Sequence, residues 1–271
     1  MDQLNRKGLL AYLNRCRMPD GGYCSFHDPE SGAGFSNVAD TSYALSAWTM
    51  LKEEIPGLPE TRSWILHVLE TDGSHRRSPY VSWAMESKLL AGLPLSEEEG
   101  LLLQNETLRL LSEKEEGIER PELLGEIVRL LKVRLLSGAP LDEDMIAPLS
   151  GFLLAGFGFP TIIELEDLAF LSGLLPGGGV KFPEETLYRH PVLGYVLVPG
   201  SSRSDLFILL AGLRMRKDLP EPGEFRQMRT RVLFCQSLNG GFGPVGGALP
   251  TLEATKAALS ALELLSAQSS P

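Results

Sequence analysis

Cysteine, basic charge and long apolar runs are all in short supply in this chain, and each shortage closes off a class of protein. Three cysteines, Cys16, Cys24 and Cys235, form an odd set without framework or paired Cys-x-x-Cys spacing, so reduced, unligated thiols are expected. Cys24-x-x-His27, with Cys16 nearby, is at most half of a zinc site. Lys and Arg number 25 against 35 Asp and Glu, and a net charge of −10 repels a phosphate backbone, which excludes nucleic acid as a partner. The first residues, Met1-Asp2-Gln3-Leu4-Asn5-Arg6-Lys7, lack the apolar core of a signal peptide. The most apolar stretch, Met145 to Leu175, is interrupted by Pro148, Pro160, Glu164, Glu166 and Asp167, so a cytoplasmic protein with no membrane span is expected. The chain also has no nucleophile elbow, no phosphate-binding glycine loop ending in Lys-Ser/Thr, no dinucleotide fingerprint and no His-Glu-x-x-His.

A hydrophobic content of 43% with 22% charged residues supplies enough apolar surface for a globular core. Apolar residues recur at helical spacing and strand-like alternation is nearly absent, which predicts an all-α chain. The pattern places helices at 3–16, 37–53, 60–70, 79–91, 96–112, 121–136, 142–155, 161–174, 184–190, 202–215, 222–236 and 251–267. Glycine and proline punctuate them, as in Ala91-Gly92-Leu93-Pro94, Ser137-Gly138-Ala139-Pro140 and Pro176-Gly177-Gly178-Gly179.

One supersecondary unit stands at both ends of the chain. Asp20-Gly21-Gly22-Tyr23 precedes the small-residue segment Ala39 to Trp48, and Asn239-Gly240-Gly241-Phe242 precedes Leu252 to Leu262. Related helix endings, Leu89-Leu90-Ala91-Gly92-Leu93, Phe170-Leu171-Ser172-Gly173-Leu174 and Leu209-Leu210-Ala211-Gly212-Leu213, give units of roughly 40 to 50 residues, the length of a helical hairpin repeat. A repeat array need not divide at ordinary domain size, so one domain over 1–271 is expected.

Gln236-Ser237-Leu238-Asn239-Gly240-Gly241-Phe242, Pro19-Asp20-Gly21-Gly22-Tyr23 and Thr71-Asp72-Gly73-Ser74 resemble the Gln-x-x-x-Gly-Gly-Phe and Gln-x-x-Asp-Gly-Ser-Trp repeats of protein prenyltransferase β subunits and of squalene and oxidosqualene cyclases. The resemblance is closest in the terminal repeats. It implies an α/α toroid, a barrel of about five to six helical hairpins, whose inner helices line a funnel for an isoprenoid or similar apolar ligand. It also implies a transferase acting on a prenyl diphosphate, and assembly with a helical partner subunit; the sequence leaves homo- and hetero-oligomers open. Sliding along the repeats puts Glu164, Glu166 and Asp205 where the family has the Asp, Cys and His that bind zinc. Carboxylates suit magnesium or calcium better than zinc, so the divalent metal is left open. Arg203 falls near the family's basic diphosphate clamp. Glu164-Leu165-Glu166-Asp167 is the nearest counterpart of the cyclases' Asp-x-Asp-Asp acid, in a different order.

The expected site follows. Asp40, Glu164, Glu166 and Asp205 converge at one rim, with Asp205, Glu166 and Asp40 as catalytic acids and Glu164, Glu166 and Asp205 as metal ligands. Arg203, Tyr43, Trp48, Trp83, His190 and Tyr195 meet the substrate, since aromatics suit apolar and cationic groups and histidine titrates near neutrality. A structural reading of the acids stays open: Thr161-x-x-Glu164, Asn37-x-x-Asp40 and Ser202-x-x-Asp205 have the form of helix caps. The function alternative to prenyl transfer is a noncatalytic repeat scaffold that binds a protein.

Overall fold

A computed structural model of the chain describes residues 3–26, 34–71, 79–112, 120–139, 141, 143–154, 162–174, 187–190, 192–197, 201, 205–215 and 222–267. Among the described residues there are eleven helices: α1 (Arg6–Arg15), α2 (Val38–Leu51), α3 (Leu58–Thr71), α4 (Pro79–Leu90), α5 (Glu97–Ser112), α6 (Arg120–Leu136), α7 (Glu143–Leu154), α8 (Ile162–Leu174), α9 (Leu206–Met215), α10 (Pro222–Phe234) and α11 (Leu252–Ala267). The chain is mostly helical, as its periodicity requires. None of these helices is long and apolar enough to cross a membrane.

Local chemistry sets several of the boundaries. Asn5 caps α1 by accepting from the Gly8 amide at 2.9 Å, and Asn37 caps α2 by accepting from the Asp40 amide at 2.8 Å. Ser96 and Glu99 close a reciprocal capping box at the start of α5: the Ser96 amide donates to Glu99 Oε2 at 2.6 Å and the Glu99 amide donates to Ser96 Oγ at 3.2 Å. Lys52 ends α2 in the left-handed region with φ of 55°.

Packing passes from α2 to α4, α6, α8, α9 and α11, and from α11 back to α2. Of the other helices, α3 lies on α4, α5 on α6 and α10 on α11, and α7 lies on α5. Ala44 and Ala47 of α2 and Ala254, Ala258 and Ala261 of α11 are all fully buried. Side chains this small let helix axes approach closely, so the first and last inner helices can meet.

The two glycine corners repeat one hydrogen-bond pattern. In the first, the Met18 amide donates to the Gly22 carbonyl and the Cys24 amide to the Cys16 carbonyl; in the last, the Ser237 amide donates to Gly241 and the Gly243 amide to Cys235. The corner aromatics Tyr23 and Phe242 are both 0% exposed. Each donates its amide to a threonine in the inner helix that follows, Tyr23 to Thr41 Oγ1 at 3.0 Å and Phe242 to Thr255 Oγ1 at 3.1 Å. These bonds supply partners for two buried amides that would each cost about 1–3 kcal/mol if left unmet.

Each corner also seats on an outer helix. Gly21 and Gly240 have φ of 100° and 99°, a left-handed backbone that favours glycine. A Cβ on Gly21 would meet the Glu60 carbonyl in the first turn of α3 at 2.5 Å, and one on Gly240 would fall on the Gly8 carbonyl in α1. Gln236 strengthens the second contact. Its Oε1 accepts from the Asn5 amide at 3.0 Å and its Nε2 donates to the Asn5 carbonyl at 3.2 Å. Arg15 adds a bond from Nη2 to the Asn239 carbonyl at 2.7 Å. The end of the chain is thereby fastened to its beginning.

Among the described residues of the helix expected at 184–190, a strand forms instead. Residues 188–190 form strand β1 (Tyr188–His190), paired antiparallel with β2 (Gly194–Val196). The turn between them needs Gly194 at φ of 84°, and His190 Nδ1 accepts from the amides of Val192 and Leu193 at 3.1 and 3.0 Å. Strand β2 lies against α9 and also touches α10.

Replacing Gly240 with alanine should cost roughly 3–5 kcal/mol, adding left-handed strain to a backbone clash. Gly247→Ala, with φ of 82° and no atom within 4 Å, carries the strain alone and should cost about 1–2 kcal/mol. Denaturant unfolding of both variants checks this; equal losses would mean that the seat on α1 is not tight.

Candidate functional site

The six helices of the packing cycle enclose a cavity of about 260 Å³. Helical spacing selects what faces it. On α6, Gly125, Arg129 and Lys132 form one stripe at i, i+4 and i+7, and on α11 Glu253, Lys256, Ala257 and Ser260 form another. Tyr43 enters from α2, Trp83 from α4, Glu166 and Asp167 from α8, and Phe207 and Leu210 from α9. Gly125 keeps the wall open, because a Cβ there would sit 3.3 Å from Arg129 Nη1 and 3.4 Å from Asp167 Oδ2.

The lining is charged, unlike the apolar sleeve that an isoprenoid funnel implies. Three cations and three carboxylates face the cavity, and two more charges stand behind them. Glu166 is the most tightly paired, accepting from Arg214 Nη1 at 2.9 Å. Lys132 Nζ is 4.0 Å from Asp167 Oδ1, and Lys256 Nζ is 3.8 Å from Oε1 of the buried Glu86, both beyond hydrogen-bond reach. The buried Nε of Arg129 has no hydrogen-bond partner among the described residues.

The aromatic pair is already occupied by cations. Tyr43 and Trp83 meet edge to face at 4.9 Å with planes at 71°. Arg129 lies 5.3 Å from the Trp83 centroid and Lys256 lies 5.2 Å from that of Tyr43. The Tyr43 hydroxyl donates to Glu253 Oε1 at 3.2 Å.

Burial and neighbours shift these groups in opposite directions. Burial, reinforced by the repulsion of Lys256, lowers the Lys132 pKa. Burial would raise Glu166, but Lys132, Arg214 and Lys256 together overrule it and leave the carboxyl below its ordinary value. Burial raises Asp167 despite Lys132, and raises Glu253 despite the bond from Tyr43. Tyr43 is raised by burial and by Glu253, so its phenol keeps its proton.

Of the residues singled out from sequence, Tyr43, Trp83 and Glu166 reach the cavity. The expected carboxylate cluster is not assembled: among the described residues no three His, Cys, Asp or Glu side chains gather as a metal-holding group. Glu164 and Glu166 are two positions apart on α8 and therefore point about 200° apart around its axis. Glu164 is buried outside the cavity lining.

Asp205 precedes α9 and caps it, its Oδ1 accepting from the Phe207 amide at 2.8 Å. Asp40 is committed to structure. Its Oδ2 accepts from the Ser25 amide at 2.8 Å and Asn37 Nδ2 at 2.9 Å, and its Oδ1 from Ser25 Oγ at 2.7 Å. Ser25 Oγ in turn accepts from the Leu252 amide at 3.0 Å, so Asp40 stitches α2 to the start of α11.

Trp48 is 3% exposed within the main core cluster, and Tyr195 belongs to the same cluster, its ring filling the space beside Gly212. His190 holds the hairpin turn. Arg203, Thr161 and Ser202 lie outside the described residues.

Sequence reasoning missed Arg129, Lys132 and Lys256. One signal was available: each is a cation flanked in sequence by apolar or small residues, as in Leu130-Leu131-Lys132-Val133 and Ala254-Thr255-Lys256-Ala257.

Because the fold favours protonated Glu253, its stabilising contribution is present below the unfolded carboxyl pKa and is lost as pH rises through the raised folded value. Glu253→Gln does not titrate, so its melting temperature should match the parent's trend at acid pH and gain on the parent as pH rises. A difference independent of pH would remove this assignment.

Comparison of the chain with protein-family models, with curated proteins and with solved structures finds no match in any of the three.

Proposed function

We propose that the chain is a single α/α toroid of the prenyltransferase and cyclase type whose axial cavity binds the anionic end of a small amphiphilic ligand, with a prenyl diphosphate as the ligand its sequence resemblance implies. The cyclic packing order and the matched glycine corners support the toroid. The observation that carries the ligand reading is the convergence of Arg129, Lys132 and Lys256 on one cavity, with the nearest carboxylates of the two lysines at 3.8–4.0 Å and the buried Arg129 Nε without a hydrogen-bond partner among the described residues.

An oxyanion entering this space would accept charge-assisted bonds of about 2.7–2.9 Å. It would also relieve the repulsion between Lys132 and Lys256. The three cations supply the diphosphate contact that the resemblance assigns to Arg203, and the edges of Tyr43 and Trp83 offer the adjoining apolar surface. At about 260 Å³ the cavity is slightly smaller than the ~300–1,000 Å³ of typical ligand pockets. That volume favours a headgroup with a short apolar part inside and the rest of a long chain outside. The reading is one of binding; transfer would add ionisation of the bound diphosphate, with these cations holding the leaving group.

The scaffold alternative has its own support. Phe26, Phe234, Leu238 and Leu249 are exposed near the first and last corners, at 66%, 62%, 105% and 75%.

Calorimetric titration with inorganic pyrophosphate and with a prenyl diphosphate tests the choice. Both should bind, the prenyl compound more tightly, and Arg129→Gln should weaken both by roughly 10- to 100-fold, as expected for loss of one charged hydrogen-bond donor. No binding of either compound to the folded parent would overturn the ligand reading and favour the scaffold.

A further inference from the structure

Cys16 ends α1, Cys24 follows the first glycine corner, and the backbone sets the two opposite each other. Arg17 and Tyr23 form an antiparallel bridge. On one side of it the Met18 amide donates to the Gly22 carbonyl, and on the other the Cys24 amide donates to the Cys16 carbonyl, both at 2.8 Å. The second bond holds the backbones of Cys16 and Cys24 side by side, while Cys16 keeps the helical conformation of the α1 C-cap (φ −73°, ψ −11°) and donates its own amide to the Tyr12 carbonyl. Residues joined by such a cross-chain bond have Cα atoms about 5.5 Å apart. That spacing lies within the ~4.4–6.8 Å window of a disulfide.

Both cysteines line one cleft of about 250 Å³, walled also by Tyr12, Arg15, Phe26 and Leu249. Each is buried in the fold, at 4% and 8% exposure. Burial pushes the Cys16 thiol up to about 11, and Cys24 contributes to that rise as a close neighbour would.

We propose that Cys16 and Cys24 are a thiol pair that oxidises to an intrachain disulfide across the first glycine corner, using a small anionic disulfide of the glutathione type admitted to this cleft. The Cys24 thiolate attacks one sulfur of the small disulfide, whose S–S bond breaks; the departing thiolate takes up a proton. Cys16 then gives up its proton and attacks Cys24 Sγ, releasing the second small thiol. Two protein thiols are oxidised to one disulfide and one small disulfide is reduced to two thiols. Cys24, 8% exposed against 4% for Cys16, makes the first attack, and the more deeply buried Cys16 makes the slower closing step. Arg15 on the cleft wall provides a positive charge for the carboxylates of such an oxidant.

The last corner supplies an internal control. Cys235 occupies the position equivalent to Cys16, but the residue opposite it, whose amide donates to the Cys235 carbonyl at 3.0 Å, is Gly243. Cys235 consequently has no thiol to close upon. The disulfide would fasten the corner that seats Gly21 on α3 and that holds Ser25 between Asp40 and Leu252.

Oxidised glutathione added to the intact protein, followed by intact-mass measurement and non-reducing peptide mapping, provides the test. The expected product has lost about 2 Da through removal of two hydrogens, yields a peptide linking Cys16 to Cys24, and melts roughly 5 °C higher until dithiothreitol is added. Cys16→Ser should trap a glutathione adduct on Cys24, while Cys235→Ser should leave the link unchanged. A parent protein that keeps both thiols free, stops at a mixed disulfide, or links Cys235 instead would overturn the proposal. The parent's peptide map decides the matter even where Cys16→Ser does not fold.

Discussion

A backbone corner with no room for a side chain fixes the positions of the helices on either side of it. At Gly21 and Gly240 the chain turns through the left-handed region while pressed on the first turn of an outer helix. The aromatic that follows is buried behind the turn, and its amide reaches into the next inner helix through a threonine. One short segment thus positions an outer helix, an inner helix and the neighbouring unit together. At the last corner the neighbouring unit is the first, and the Gln236 amide group holds both backbone groups of Asn5. Contacts separated by more than 200 residues in sequence become local in space, at a loop-closure cost that grows only logarithmically with length.

Once the inner helices form a cycle, the stripes on their inner faces meet around one space. Charges on α6, α8 and α11 then have few places to go except towards each other. Removing so many ions from water is unfavourable unless opposite signs compensate, and here they do so unevenly. Glu166 and Arg214 make a direct bond, while the carboxylates nearest Lys132 and Lys256 stand at 4.0 and 3.8 Å and the Arg129 Nε has no hydrogen-bond partner among the described residues. That looseness gives an incoming anion something to gain. The same burial favours the neutral forms of Glu253 and Asp167, so the acidic wall is less repulsive to an anion than its residue count suggests.

The helices were legible because periodicity and glycine punctuation are local signals, and the corners were legible because few other residues fit a left-handed turn. Strand β1 was not, since three residues are too few to show alternation and the His190 and Gly194 turn only declares itself in three dimensions. The acids were legible as caps but not as separate from a site. Asp40 and Asp205 do the local work that their position before or within a first turn implies, whereas Glu166 faces inward. Choosing between Glu164 and Glu166 requires knowing which face of α8 turns to the axis, and both adjoin Leu165. Arg129, Lys132 and Lys256 are distributed over α6 and α11, and their convergence depends on the order in which helices pack around the cycle.

Closure between the last corner and the first outer helix is the central claim, and native-state hydrogen exchange of the α1 amides tests it most directly. In a closed ring, the amides of Leu9, Tyr12 and Leu13 exchange only with global unfolding, at the same free energy as the most protected amides of α11. In an open array, a terminal unit opens by itself, and α1 exchange at a distinctly lower free energy than α11 would contradict the account.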